Sequence, residues 1–277
     1  MPENKTMTRS LSYFYTKKLG APPRRVITTP IVTAVAGKYM DTPMSKLHIR
    51  RFVRKNELDL SEYCHEKYGC FNDFFTRQIK PEARPVDMRP EKLISPCDGH
   101  LSVYRIGSDS VFNIKDSYYR VSDLVNSSFI ADEYLDGYCL VFRLGVENYH
   151  RYCYIDNGTK SVNFRIKGRY NPVQPIVVNN HPVFTQNTRE YTIMQTENFG
   201  TVVQIEVGAC LVGKIINHRE AGRIYKGTEK GMFQFGGSTI VLLMKKDSVK
   251  LPERYFVATS QGTETDVKYG QAIGEKA

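Results

Sequence analysis

The chain has 277 residues, 41% of them hydrophobic, and carries 39 Lys and Arg against 29 Asp and Glu for a net charge of +10. This length and apolar content support one large folded domain and exclude a disordered chain, while the positive charge favours anionic partners. No segment approaches the roughly 20 consecutive apolar residues of a membrane helix, no long apolar leader with a cleavage site is present, and no dense basic block suggests a nucleic-acid groove.

Residues 1 to 44 read as a basic, amphipathic, membrane-facing segment. Leu11, Tyr13, Phe14 and Leu19, then Ile31, Val32 and Val35, are interleaved with Lys17, Lys18, Arg24 and Arg25. An interfacial segment on acidic lipid accounts for this pattern, and so does a helix packed on the domain. Residues 45 to 80 read as helical. Ser45 is placed to cap a helix from Lys46 to about Lys55, a second helix is expected from Leu60 to Tyr68, and Phe71, Phe74 and Phe75 mark a third. From 81 to 257 the pattern changes to short alternating runs broken by Gly, Asn and Asp, which predicts strands near Leu101 to Ile106, Tyr138 to Leu144, Val162 to Lys167, Tyr191 to Gln195, Thr201 to Val207 and Met232 to Phe235. Glu197-Asn198-Phe199-Gly200 predicts a hairpin turn. Residues 258 to 277 read as a loosely held polar tail. The expected fold is α+β, with N-terminal helices followed by a compact, mostly antiparallel β-rich catalytic core.

The six cysteines, Cys64, Cys70, Cys97, Cys139, Cys153 and Cys210, include no C-x-x-C pair and read as scattered reduced thiols. Chemistry is expected at Phe233-Gln234-Phe235-Gly236-Gly237-Ser238-Thr239, where a serine follows two glycines between strand-forming runs. A hydroxyl so placed can reach its own upstream carbonyl; a plain hairpin turn fits the same letters. Four more segments are weak singly: Ser95-Pro96-Cys97-Asp98-Gly99, Asn148-Tyr149-His150-Arg151, Phe184-Thr185-Gln186-Asn187-Thr188-Arg189, and Val207-Gly208-Ala209-Cys210-Leu211-Val212-Gly213-Lys214-Ile215.

In this order, with Lys226-Gly227-Thr228-Glu229-Lys230-Gly231 before the Gly-Gly-Ser turn, the segments resemble the phosphatidylserine decarboxylase family of pyruvoyl enzymes. The resemblance runs from about residue 30 to residue 245 and takes in Phe71-Asn72-Asp73-Phe74-Phe75-Thr76-Arg77 and Arg84-Pro85-Val86-Asp87. It implies a proenzyme that cuts itself between Gly237 and Ser238, converts Ser238 into a covalent pyruvoyl group, and yields a β chain of residues 1 to 237 and an α chain of residues 238 to 277. It further implies Asp98 and His150 as catalytic partners of Ser238, with Asp98 in processing and His150 in decarboxylation. The pyruvoyl carbonyl would accept the substrate amine and the electrons released with carbon dioxide, so no metal or diffusible cofactor is expected. Arg189 reads either as a carboxylate or phosphate ligand or as a structural ion pair.

The implied activity is conversion of phosphatidylserine to phosphatidylethanolamine in phospholipid biosynthesis, at the cytoplasmic side of the cell membrane as a peripheral protein. Anionic lipid is the expected surface, a homodimer is the family's common assembly, and no nucleic-acid partner is expected. A pyruvoyl decarboxylase of a soluble amino acid and a non-processing lipid-binding homologue are the alternatives. Two departures bear on them. The family carries a second histidine three residues after the first, where this chain has Cys153, and a leucine where it has Gly236. Three explanations stay open: His150 serves both steps, another histidine such as His181 supplies the processing base, or maturation is slow or absent.

Overall fold

The computed structural model describes residues 29–277 except 65–66, 110, 115–116, 174, 179–181, 210–213 and 237. The basic stretch before residue 29, His181, Cys210 and Gly237 therefore lie outside the described residues.

Three helices lead: α1 (Pro30–Met40), α2 (Leu47–Lys55) and α3 (Phe71–Phe75). Strands β1 (Lys92–Ile94) and β2 (Gly99–Arg105) precede a hairpin of β3 (Val111–Ile114) and β4 (Ser117–Arg120), then short helices α4 (Val121–Val125) and α5 (Ser128–Asp132). Next come β5 (Tyr138–Leu144), β6 (Arg151–Cys153), β7 (Gly158–Lys160), β8 (Phe164–Ile166), and helices α6 (Pro175–Val178) and α7 (Val183–Gln186). The rest is β9 (Arg189–Thr196), β10 (Gly200–Gly208), β11 (Ile215–Asn217), β12 (Gly222–Ile224), β13 (Glu229–Phe233), β14 (Ser238–Met244), β15 (Val249–Lys250), α8 (Glu253–Ser260), β16 (Thr265–Val267) and β17 (Ala272–Lys276).

The main sheet has nine strands in the order β12-β7-β9-β10-β14-β5-β2-β16, with β8 also on β9, and every pairing is antiparallel. The predicted α+β class with an antiparallel core is thus what the chain adopts. β14 sits inside this sheet and is buried along its whole length, as its uninterrupted run Ile240-Val241-Leu242-Leu243-Met244 requires of a strand covered on both faces. A smaller sheet, β11-β13-β6, lies against β10 through the fully buried Lys230–Glu206 pair, 2.8 Å apart. Burial pushes the Glu206 carboxyl up and the Lys230 ammonium down, and their mutual charge and hydrogen bond oppose both shifts.

Phe233 and Ser238 flank the Gly-Gly pair but belong to different sheets, so the segment is a crossover between layers and not a hairpin turn. The hairpin expected at residues 197 to 200 does form, joining β9 to β10. The N-terminal helices depart from expectation in two places. Ser45 lies in a 3-10 turn over Pro43–Lys46, where its hydroxyl donates to the Met40 and Thr42 carbonyls and accepts from the Phe71 N–H, so it staples α1 to α3 in place of capping α2. Among the described residues of the second predicted helix, only Leu60–Glu62 turns helically, because Tyr63 pairs with Ile79 in a β-bridge.

The loose C-terminal tail is a correction. β16 adds to the edge of the main sheet on β2, and β17 lies between β1 and β15 in a third sheet. Val267 and Ile273 alternate with polar neighbours and are nearly fully buried, a period-two pattern too short to stand out from the surrounding Lys, Glu and Thr. Deleting residues 263 to 277 should therefore abolish cooperative thermal unfolding; a truncated protein that melts at the full-length temperature would restore the tail reading.

Candidate active site

Antiparallel register places the candidate residues at one edge of adjacent strands. Ser238, the first residue of β14, pairs with Leu144 at the end of β5 and with Gly208 at the end of β10. Gly99, the first residue of β2, pairs with Val267 and backs so closely onto β5 that an added Cβ would lie 2.8 Å from the Arg143 carbonyl oxygen. Glycine is what permits this approach. Asp98 immediately precedes it, and so lies roughly 10 Å along the sheet edge from Ser238, about two strand spacings.

Asp98 is nearly buried and heavily bound. Arg84 grips it with both prongs, Nε to Oδ1 at 2.9 Å and Nη2 to Oδ2 at 2.7 Å, and the Tyr269 backbone N–H donates to Oδ1 at 2.8 Å. Glu62 engages the remaining face of Arg84 at 3.1 Å. Burial alone would lower the Arg84 pKa, but the hydrogen bonds and charge of Asp98, helped by Glu62, hold it above its ordinary value. The loop carrying Asp98 is clamped from the C-terminal segment, with Ser95 N–H donating to the Gln271 carbonyl and Gly270 N–H to the Ser95 carbonyl. Cys153 is fastened to the same loop, its N–H donating to the Pro96 carbonyl at 2.8 Å.

His150 is fully buried, and burial drives its pKa down to about 3 against the smaller upward pulls of the Asn148 carbonyl, Glu147 and the Gly236 backbone; the nearby Arg77 charge lowers it further. The ring is therefore neutral at physiological pH. Its Nδ1 lies 2.8 Å from the Asn148 carbonyl, which can only accept, so the proton sits on Nδ1 and Nε2 keeps a bare lone pair. Among the described residues, neither Nε2 nor the buried Ser238 Oγ has a well-aligned hydrogen-bond partner, although the Gly236 backbone acts on the ring. Phe75 covers the ring at 4.2 Å between centroids and in turn packs edge-on to Phe235 at 5.2 Å. Asn72 Oδ1 accepts the Phe235 N–H at 3.0 Å while its Nδ2 donates to Asp41 at 2.8 Å, so one side chain ties the loop before Ser238 to the end of α1. Gly236 adopts φ of +135°, a conformation open to glycine and strained for a side chain.

The structure thus brings His150 to the Gly236 side of Ser238, while Asp98 belongs to an adjoining cluster with Arg84, Tyr269 and Cys153. Asp98 and His150 are oriented by different groups. Cys153 is buried, and burial outweighs its hydrogen bond to Tyr269 to push the thiol up to about 12. Arg189 resolves to the structural alternative without an ion pair: its guanidinium donates to the backbone carbonyls of Leu124, Thr185, Asn187 and Asp123. Lys226 is likewise structural, donating to the carbonyls of Arg89 and Lys92. Sequence reasoning quoted Arg84, Asn148 and Asn72 within motifs without a role and missed Tyr269. Arg84 beside a proline in a motif was a usable signal; the other three act through backbone and long-range contacts that leave none.

Among the described residues, an unpartnered serine hydroxyl and an unpartnered neutral imidazole thus lie close in the chain's fold to Gly236, where the chain passes from one sheet to the other. The pattern that defines the phosphatidylserine decarboxylase family matches residues 71–275. A phosphatidylserine decarboxylase proenzyme 2 of Clostridium acetobutylicum is 43% identical over 250 residues, covering 90% of this chain and 85% of that protein. Phosphatidylserine decarboxylase proenzymes of Clostridium botulinum and Clostridium perfringens are 39% and 41% identical, covering 96% and 87% of this chain and 92% and 83% of their own lengths. The chain belongs to the phosphatidylserine decarboxylase family.

Replacing Arg84 by Met would leave the Asp98 carboxylate buried with only a backbone donor, and should cost about 3–5 kcal/mol in urea denaturation. A loss below 1 kcal/mol would show that Asp98 does not depend on that pair.

Proposed function

We propose that the chain is a proenzyme that cuts itself between Gly237 and Ser238 and, once cut, decarboxylates phosphatidylserine to phosphatidylethanolamine. The observation that carries this reading is that, among the described residues, Ser238 Oγ and His150 Nε2 are both buried without a partner, and that His150 faces the backbone of Gly236, two residues before Ser238. A buried hydroxyl without a partner costs roughly 1–3 kcal/mol, a strain that is retained where the group has work to do.

Processing balances within the chain and one water. Ser238 Oγ attacks the Gly237 carbonyl carbon, the bond to the residue 238 nitrogen breaks, and an ester replaces the peptide. Loss of the residue 238 α-proton expels the Gly237 carboxylate and leaves a dehydroalanine, whose imine tautomer takes up water and releases ammonia to give a pyruvoyl group. The residues fit that group: β14 buries position 238 at its first residue, away from bulk water, and His150 keeps an open lone pair beside it. A pyruvoyl carbonyl supplies the electron sink into which a substrate carboxylate is lost as carbon dioxide. His150 accepts and returns protons at Nε2, and Phe75, itself packed against Phe235, holds its ring while excluding water.

Lipid is favoured over a soluble amino acid by the surface of α1 and α2. Ile31, Val35 and Tyr39 recur every four residues along one face of α1 at 75%, 67% and 40% exposure, continued by Met44 at 69% and Leu47 at 80%. Exposed Lys38, Lys46, Arg50, Arg51, Arg54 and Lys55 surround them, which suits insertion of the apolar side chains into an anionic leaflet. No described helix is long and apolar enough to cross a membrane. We place the protein at the cytoplasmic side of the cell membrane, where the reduced state of Cys64, Cys70, Cys97, Cys139 and Cys153 is maintained.

Purified wild-type protein should give two masses, for fragments of 237 and 40 residues, and release carbon dioxide from phosphatidylserine vesicles. Ser238→Ala should remain one inactive chain, His150→Ala should lose decarboxylation by at least about 10²-fold, and Asp98→Asn should slow cutting. A wild-type protein of full mass that binds vesicles would establish the non-processing homologue, and activity on free serine alone would establish the soluble-substrate enzyme. Replacing Ile31, Val35 and Leu47 together by Glu should weaken sedimentation with anionic vesicles at least about tenfold while leaving self-cutting intact; unchanged sedimentation would remove this face from the membrane contact.

A further inference from the structure

We infer that His150 is also the base for self-cutting, taking the Ser238 hydroxyl proton at Nε2 in place of the histidine that this chain lacks at position 153, with the Asn148 carbonyl as its orienter. The inference rests on the proenzyme reading above and assigns a residue to its first step.

Three geometric observations converge on it. Among the described residues, Nε2 and Ser238 Oγ are both buried without a well-aligned hydrogen bond, and the Gly236 backbone, two residues before Ser238, faces the imidazole. The segment is held to His150 on both sides: the Phe233 N–H donates to the His150 carbonyl at 2.9 Å, and Phe235 packs on the Phe75 ring that covers the imidazole. The orienter is rigid because the Gly145 N–H donates to Asn148 Oδ1 at 2.7 Å and the Asn148 N–H to the Gly145 carbonyl at 3.1 Å. By contrast, Cys153 is bound to Tyr269 within the Asp98 cluster, and its Sγ is 3.9 Å from the Ser95 carbonyl. That thiol stays protonated at neutral pH, whereas the imidazole is already in its basic form.

The step needs no external reagent. Ser238 Oγ–H gives its proton to Nε2 as the Oγ lone pair closes on the Gly237 carbonyl carbon. When the carbon–nitrogen bond breaks, the nitrogen takes that proton back, leaving an ester, a free amine and a neutral His150. The charged and titratable groups acting on the ring are Arg77 and Glu147, with Phe75 and Phe235 supplying the apolar walls.

The test follows full-length proenzyme made by cell-free translation, reading chain cutting by mass. Cys153→Ala should cut at close to the wild-type rate, and His150→Gln, which keeps an amide donor for Asn148, should slow cutting by at least about 10²-fold and should not be cleaved by hydroxylamine, because no ester forms. Wild-type cutting should be flat from about pH 5 to 9, as a neutral imidazole requires; a thiolate base would raise the rate about tenfold per pH unit over that range. Cutting of His150→Gln at the wild-type rate, a folded Cys153→Ala that stays whole, or the thiolate-type pH rise would each overturn the inference. If His150→Gln fails to fold, the Cys153→Ala and pH results decide it. A wild type that cuts and decarboxylates beside a His150→Gln that cuts without decarboxylating would sink this inference alone, whereas an uncut wild type would sink the proenzyme reading with it.

Discussion

The architecture depends on a strand that is hydrogen-bonded on both sides from its first residue. β14 begins at Ser238, with β10 on one flank and β5 on the other, and all seven of its residues are buried. A peptide bond just before such a strand is a position where chain continuity contributes little to holding the sheet together. The strand would stay in place after a cut because its ladder and its apolar contacts, at about 25 cal/mol per Å² of buried apolar area, are independent of that one bond. The same register fixes residue 238 at the end of the strand, so the constraint that would tolerate a cut also positions the hydroxyl proposed to make it.

The two polar clusters divide the electrostatic labour. Asp98 is committed to Arg84 and the Tyr269 N–H, which fixes the position of its carboxyl group within a buried pair. His150 is the reverse, an uncharged ring whose proton is pinned on Nδ1 by a carbonyl and whose second nitrogen is open. Arg84, Glu62 and Asp98 form an acid–base–acid arrangement that places charge near the sheet edge without drawing on the imidazole. Burial sets these roles more than sequence proximity does: residues 150 and 153 share a short run, yet one faces Gly236 and the other faces Tyr269.

Much of this was legible in the residues. The long strands β5, β9 and β10 follow from alternation and turn chemistry, since each has five or more residues of clear pattern bounded by Gly, Asn or Asp. Motif order singles out Asp98, His150 and Ser238 as candidates, but it carries over positions and not partners. The failures share a cause. Ser45 at a predicted helix cap, Tyr63 in a predicted helix and residues 265 to 276 in a predicted tail are all governed by contacts with residues distant in the chain, Phe71, Ile79 and the strands β1 and β2. Local propensity is a weak prior against tertiary pairing.

The position of Tyr269 shows why the C-terminal residues matter beyond their strands. In the proposed cut form they belong to the short chain that begins at residue 238, while Asp98, Arg84 and His150 belong to the long one. The Tyr269 N–H meets Asp98, its hydroxyl donates to the Gly227 carbonyl at 2.9 Å, and its hydrogen bond to Cys153 crosses the same boundary. The short chain would therefore be held at both ends of its length, by β14 inside the sheet and by β16, Tyr269 and β17 around the aspartate loop. A histidine at 153 would have to displace the Tyr269 contact or share it. With cysteine there, the compact thiol lets Tyr269 lock the aspartate loop to the proposed short chain, and in the proposed scheme the proton chemistry passes to His150, which faces the Gly236 backbone.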